Sequence, residues 1–155
     1  MRLAGTTLER NALIPQFRVA ESSTDREFTP WDVKGRRALV LAFLHPGCAD
    51  CAAFAEEIAA RDDQFQVADA TVYAVAAEPV GPLPTLLDPQ GEVAATYLGP
   101  DGEVPTVVLA DRYGAAWAAY PGFAHDLPTV GELAATAWHM ALQCADCAVP
   151  VWPES

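Results

Sequence analysis

The chain has 155 residues, 52% of them apolar, and a formal charge of −12 at pH 7. Such a chain buries a substantial core, which excludes wholesale disorder, and its carboxylate excess repels nucleic acid and anionic lipid as partners. The opening MRLAGTTLERNALIPQF meets Glu9 and Arg10 before an apolar run builds, unlike a signal peptide, and the uncharged run 38–49 is far shorter than the roughly 20 residues that span a bilayer.

A soluble, cytoplasmic protein is therefore expected. No linker divides it, so residues 1–155 are read as one domain, ending in a long helix and a tail at about 128–155. The run ALVLAFL at 38–44 has the length and unbroken apolarity of a strand buried on both faces. His45-Pro46-Gly47 ends it. Beyond the break, Cys51, Phe54, Ala55 and Ile58 recur at helical spacing, which predicts an amphipathic helix starting at or just before Cys48. TVYAVAA at 71–77 reads as a second inner strand. In DPQGEVAATYLG, Asp88 is the expected N-cap, Pro89 the first helical residue and Gly99 the stop. VPTVVLA at 104–110, the DRYG turn and AAWAAY at 115–120 form a hairpin, with Gly114 supplying a positive φ. Val130, Leu133, Ala134, Ala137, Trp138, Ala141 and Leu142 draw one stripe on a last helix, with His139 nearly opposite it on the surface. Trp138 and Met140 are read as packing residues. The order predicts an α/β fold, a central mixed sheet with helices on both faces.

All four cysteines lie in two copies of one step, CADC at 48–51 and CADC at 144–147. In a reducing cytosol such pairs are more often redox-active or metal-binding than structural. A thiolate is the attacking form of cysteine, and a helix N-terminus favours it through unpaired N–H groups and the macrodipole. Cys48 is the expected nucleophile, and Cys51, one turn along on the buried stripe, the resolving thiol. A structural disulfide or half of a zinc site is the competing reading. His45 either tunes or relays a proton for Cys48, or is a plain loop histidine. Asp50 favours the helix start but raises the thiol pKa.

FLHPGCADC, LLDPQGEVAATYLG and VPTVVLADRYG together resemble the thioredoxin-fold redoxins, the group of TlpA-like thiol–disulfide oxidoreductases and AhpC/TSA peroxiredoxins, over about residues 12 to 140. The resemblance implies a thioredoxin-like fold and a cis proline, Pro105, opposite the active-site sulfur. It also implies that Val104, Pro105 and Thr106 dock a substrate, with backbone groups of Val104 and Thr106 free to pair with an extended peptide. No organic cofactor is implied, because the cysteines carry the electrons. The partners would be a disulfide-bearing protein or small thiol or disulfide, and an electron donor. Departures from the pattern bear on chemistry. Leu41 and His45 stand at the proline and threonine positions of the peroxiredoxin motif, and Pro105 at its arginine position, which favours thiol–disulfide exchange over peroxide reduction. Gly47 replaces the tryptophan, and Ala42 the buried aspartate, of thioredoxin.

The second pair sits at the end of the last helix, where the dipole disfavours a thiolate and Pro150 and Pro153 stop the helix. Cys144 and Cys147 are read as an auxiliary redox or relay pair; a tail-pinning disulfide or, with Cys48 and Cys51, a zinc site are the other readings. The expected function is thiol–disulfide oxidoreduction. The alternatives are a peroxiredoxin-like thiol peroxidase and a non-catalytic module whose cysteines bind zinc or hold the fold.

Overall fold

The run 38–43 becomes the centre of the molecule because every one of its side chains is apolar and can be buried from both sides. In the computed structural model, which describes residues 1–100, 102, 104–122 and 129–142, strand β3 (Ala38–Phe43) is buried along its whole length. Two short strands precede it, β1 (Val19–Ala20) and β2 (Glu27–Phe28), paired antiparallel as a separate ribbon. β3 pairs in parallel with β4 (Ala70–Ala76) and antiparallel with β6 (Thr106–Ala110). β5 (Thr85–Leu87) and β7 (Ala116–Pro121) complete a five-stranded sheet in the order β5-β4-β3-β6-β7.

Alternation along β3 sends its side chains to two cores. Val40 and Ala42 join the core under helices α1 (Ala49–Ala60), α2 (Asp62–Val67) and α4 (Val130–Ala141). Leu39, Leu41 and Phe43 join the other core, with α3 (Glu92–Leu98) and the N-terminal segment through Leu3, Leu8, Ile14 and Phe28. The sheet is thus mixed and covered on both faces. The parallel β3–β4 pair requires a crossover, which α1 and α2 provide.

Three local expectations are corrected. α3 starts at Glu92, with Gly91 as its N-cap, and Asp88-Pro89 lies outside the helix. Asp88 still acts on the helix from a distance, since its carboxylate accepts from the N–H groups of Val93 (3.1 Å) and Ala94 (3.0 Å) across the intervening turn. Asp88→Ala is expected to cost about 1 kcal/mol, as lost caps do, read as a lower denaturant midpoint at unchanged slope. In α4 the stripe is rotated: Met140 is buried, whereas Trp138 and Leu142 are 45% and 62% exposed. Met140 and Trp138 flank the Val130–Ala137 line on opposite sides, and the helix leans toward the side carrying Leu133. His139 is exposed, as expected. Finally, β6 begins at Thr106, so Val104 and Pro105 form the bend that enters it. Gly114 turns β6 into β7 at φ +83°. The carboxylate of Asp111 secures that turn by accepting from the N–H groups of Tyr113 and Ala115. Cys144 and Cys147 lie outside the described residues.

Candidate active site

The site forms where β3 can no longer continue. Pro46 biases His45 toward extended backbone, and Gly47 turns the chain at φ +78°, a left-handed conformation costly for a side chain bearing Cβ. Cys48 follows as the N-cap of α1, in extended conformation at φ −92° and ψ 126°. Its carbonyl accepts from Ala52 N–H (2.9 Å), which starts the helix. Its side chain is half-buried, while Cys51, on the inward stripe of α1, is wholly buried.

The two sulfurs are driven apart electrostatically. The Cys48 thiol is held below its ordinary range, first by the N–H of Cys51, then by the Cys51 thiol, with the N–H of Asp50 adding to them; slight burial and the Asp50 charge oppose this. Cys51 is pushed up to about 11, first by burial and then by the neighbouring Cys48 and Asp50, against the opposing effect of His45 N–H. That N–H donates to Cys51 Sγ at 3.3 Å. Asp50, exposed on the first turn of α1, raises both thiols. Asp50→Asn is therefore expected to lower the Cys48 pKa further, and a faster alkylation of Cys48 near neutral pH, by about two-fold, checks the sign.

The remaining candidates meet at the same end of the sheet. The Val104–Pro105 peptide is cis. His45 Nε2 lies 3.0 Å from the Val104 carbonyl oxygen. A carbonyl only accepts, so this nitrogen carries the proton. The Val104 carbonyl thus accepts from the His45 ring, with a second lone pair left for a further donor. Thr106 is wholly buried, in register with Phe43 on one side and Pro121 on the other, because β6 is an inner strand with no open edge. The Pro105 carbonyl accepts from Gly122 N–H at 2.8 Å. The ring's link to Val104 depends on the antiparallel pairing of β3 with β6, which local sequence does not announce, whereas the N–H link to Cys51 is made only six residues along the chain. Ala42 shares the buried core with Cys51, so no carboxylate lies there to take its proton. Among the described residues, no group of three or more His, Cys, Asp or Glu side chains is arranged to hold a metal ion. No helix among them is long and apolar enough to cross a membrane.

No family model matches the chain, and no curated protein matches it. Solved structures do. A Bacteroides thetaiotaomicron protein provisionally described as a protein disulfide isomerase superposes with a TM-score of 0.73 at 20% identity, covering 92% of this chain and 96% of that one. A Chlorobium tepidum protein provisionally described as the thiol:disulfide interchange protein DsbE gives 0.69 at 19% identity, over 88% and 100%. The peroxidoxin BcpB of Mycobacterium tuberculosis gives 0.68 at 16% identity, over 88% and 99%. At these identities the likeness is one of fold, and the fold is thioredoxin-like.

Proposed function

We propose that the protein is a thiol–disulfide oxidoreductase. The observation that carries this reading is the pair of unlike sulfurs at the start of α1: one accessible and favoured as a thiolate, the other buried and kept protonated. Cys48 attacks a substrate disulfide, that bond breaks, and the leaving sulfur takes a proton. Cys51 loses its proton and attacks Cys48, releasing the second substrate thiol and leaving a Cys48–Cys51 disulfide. Two electrons pass to the substrate, and an external dithiol restores the pair. Val104 and Pro105 form the docking bend, where the Val104 carbonyl already accepts from the His45 ring. Cys144 and Cys147 serve as an auxiliary pair, and the setting is the reducing cytoplasm.

Exchange is favoured over peroxide reduction. In the peroxiredoxin register the threonine position holds His45, whose imidazole has no hydroxyl to offer a peroxide at Cys48 and whose ring is bound to the Val104 carbonyl. The test uses the fully reduced protein with one equivalent of a cyclic disulfide peptide. The expected result is one equivalent of reduced peptide and a Cys48–Cys51 disulfide located by peptide mapping. Prompt oxidation by hydrogen peroxide with no reaction toward the peptide contradicts it. Cys144→Ser is expected to leave this single turnover intact.

A further inference from the structure

The ladder between β3 and β6 ends with Phe43 paired to Thr106. The same register carried further would set Leu44 against Pro105 and His45 against Val104. Alternate residues of a strand turn their backbone groups to opposite neighbours. Leu44 N–H donates to the Val75 carbonyl of β4, so in a longer ladder the next N–H, that of His45, would be the donor to the Val104 carbonyl of β6. That bond is not made. The Val104 carbonyl accepts from His45 Nε2 at 3.0 Å instead, and the backbone N–H of His45 donates to Cys51 Sγ at 3.3 Å. A side-chain donor has taken the place of a backbone one.

The exchange matters because the two acceptors are unequal. A carbonyl is a strong acceptor and a thiol sulfur a weak one, so without the ring the His45 N–H would turn to the carbonyl. Once Cys51 ionises, its bond from that N–H becomes charge-assisted. It is also the one interaction that draws the Cys51 thiol down, against burial and the effects of Cys48 and Asp50. Among the described residues, Tyr120 of β7 is the only other titratable side chain packed on this otherwise apolar core. Resting on the exchange reaction proposed above, we propose that His45 is a positioning residue for its second step: the ring holds the Val104 carbonyl, and the backbone N–H is thereby left to the Cys51 sulfur. In that step Cys51 gives up its proton and its thiolate attacks Cys48 Sγ. The bond from Cys48 to the substrate sulfur breaks, and that sulfur takes a proton. An imidazolium also carries a proton on Nε2, so the ring donates whatever its charge.

The test compares His45→Ala and His45→Leu, which lack the ring donor, with His45→Gln, whose amide N–H lies as many bonds from Cα as Nε2 does. His45 is exposed, so none of the three opens the core. Each reduced protein is mixed with a cyclic disulfide peptide, and formation of the Cys48 adduct is separated from its decay by rapid quench. Loss of the N–H bond is expected to raise the Cys51 pKa by about one unit, the scale of a hydrogen bond to an ionised group. The thiolate fraction near neutral pH then falls about tenfold, and the greater nucleophilicity of a more basic sulfur returns about three-fold of that. Adduct decay in His45→Ala and His45→Leu is therefore expected to slow about three-fold, with its pH break moved alkaline, while adduct formation stays close to that of the parent. His45→Gln is expected to return both the decay rate and the break toward the parent's. Titration of the Cys51 β-carbon by NMR in the reduced proteins reads the same shift with no substrate present. A decay rate and a Cys51 titration that do not move in His45→Ala and His45→Leu, or a His45→Gln no nearer the parent than they are, overturns the positioning role while the exchange reaction stands. Absence of any adduct on the parent overturns the exchange reaction, and the titration still decides the placement of the N–H.

Discussion

Cys48→Ser is expected to reduce disulfide turnover by roughly a thousand-fold or more, the scale on which loss of a nucleophile acts, whereas Cys51→Ser is expected to attack once and stop. The difference follows from position. Cys48 is half-buried at the first amides of α1, so a serine there keeps the geometry but cannot become an anion at neutral pH. Cys51 is wholly buried and reaches only the sulfur beside it. Removing it leaves the mixed disulfide on Cys48 with no second thiol among the described residues to release it. Intact-mass measurement should show a stable one-to-one adduct of Cys51→Ser with a disulfide peptide, and none of Cys48→Ser. Both variants keep the core volume nearly unchanged, so their thermal midpoints should stay close to that of the parent.

The second large effect concerns pH. Cys48 is depressed and Cys51 raised to about 11, so the two steps should respond differently. Attack by Cys48 should level off once pH passes its lowered pKa. Resolution by Cys51 should keep accelerating about tenfold per pH unit well above that point, since only its small ionised fraction reacts. In the mixed disulfide the Cys48 thiolate is gone, and with it two of the causes that raise Cys51; burial, the largest, persists. The break for resolution should therefore fall below about 11 yet above the break for attack. Rapid-quench separation of adduct formation from adduct decay, across pH 6 to 10, measures both. A single shared break contradicts the asymmetry. The same signs govern stability of the reduced protein: ionisation of Cys48 favours the folded state as pH rises through its lowered pKa, and burial of Cys51 disfavours it at alkaline pH.

Much of this was legible from local patterns. The unbroken run at 38–44 marked the central strand, because only a strand covered on both faces tolerates it. The spacing of Cys51, Phe54, Ala55 and Ile58 marked α1 and the inward position of the second sulfur. The elements that local sequence does not reveal lack a periodic signal. β1 and β2 have two residues each and β5 three, too short to show alternation. α2 is set off from α1 by Arg61 alone. Asp88 looked like an ordinary N-cap, but its carboxylate spans a turn that Gly91 closes in the left-handed region at φ +70°. Trp138 matched the helical period as well as Met140, and only the lean of α4 on the sheet distinguishes them. The double role of His45 was out of reach for a different reason: it needs residue 104 beside residue 45, a contact made by sheet pairing across some sixty positions of chain.

The proposed chemistry depends on the N–H and thiol of Cys51 drawing the Cys48 pKa down while burial draws that of Cys51 up. Site-resolved alkylation of the reduced wild-type protein across pH, with each cysteine followed in its own peptide, tests it most directly. Cys48 is predicted to react with a midpoint clearly below 9, and Cys51 to resist until far more alkaline pH. A Cys48 midpoint at 9 or above, or a Cys51 that reacts in step with it, would contradict the account.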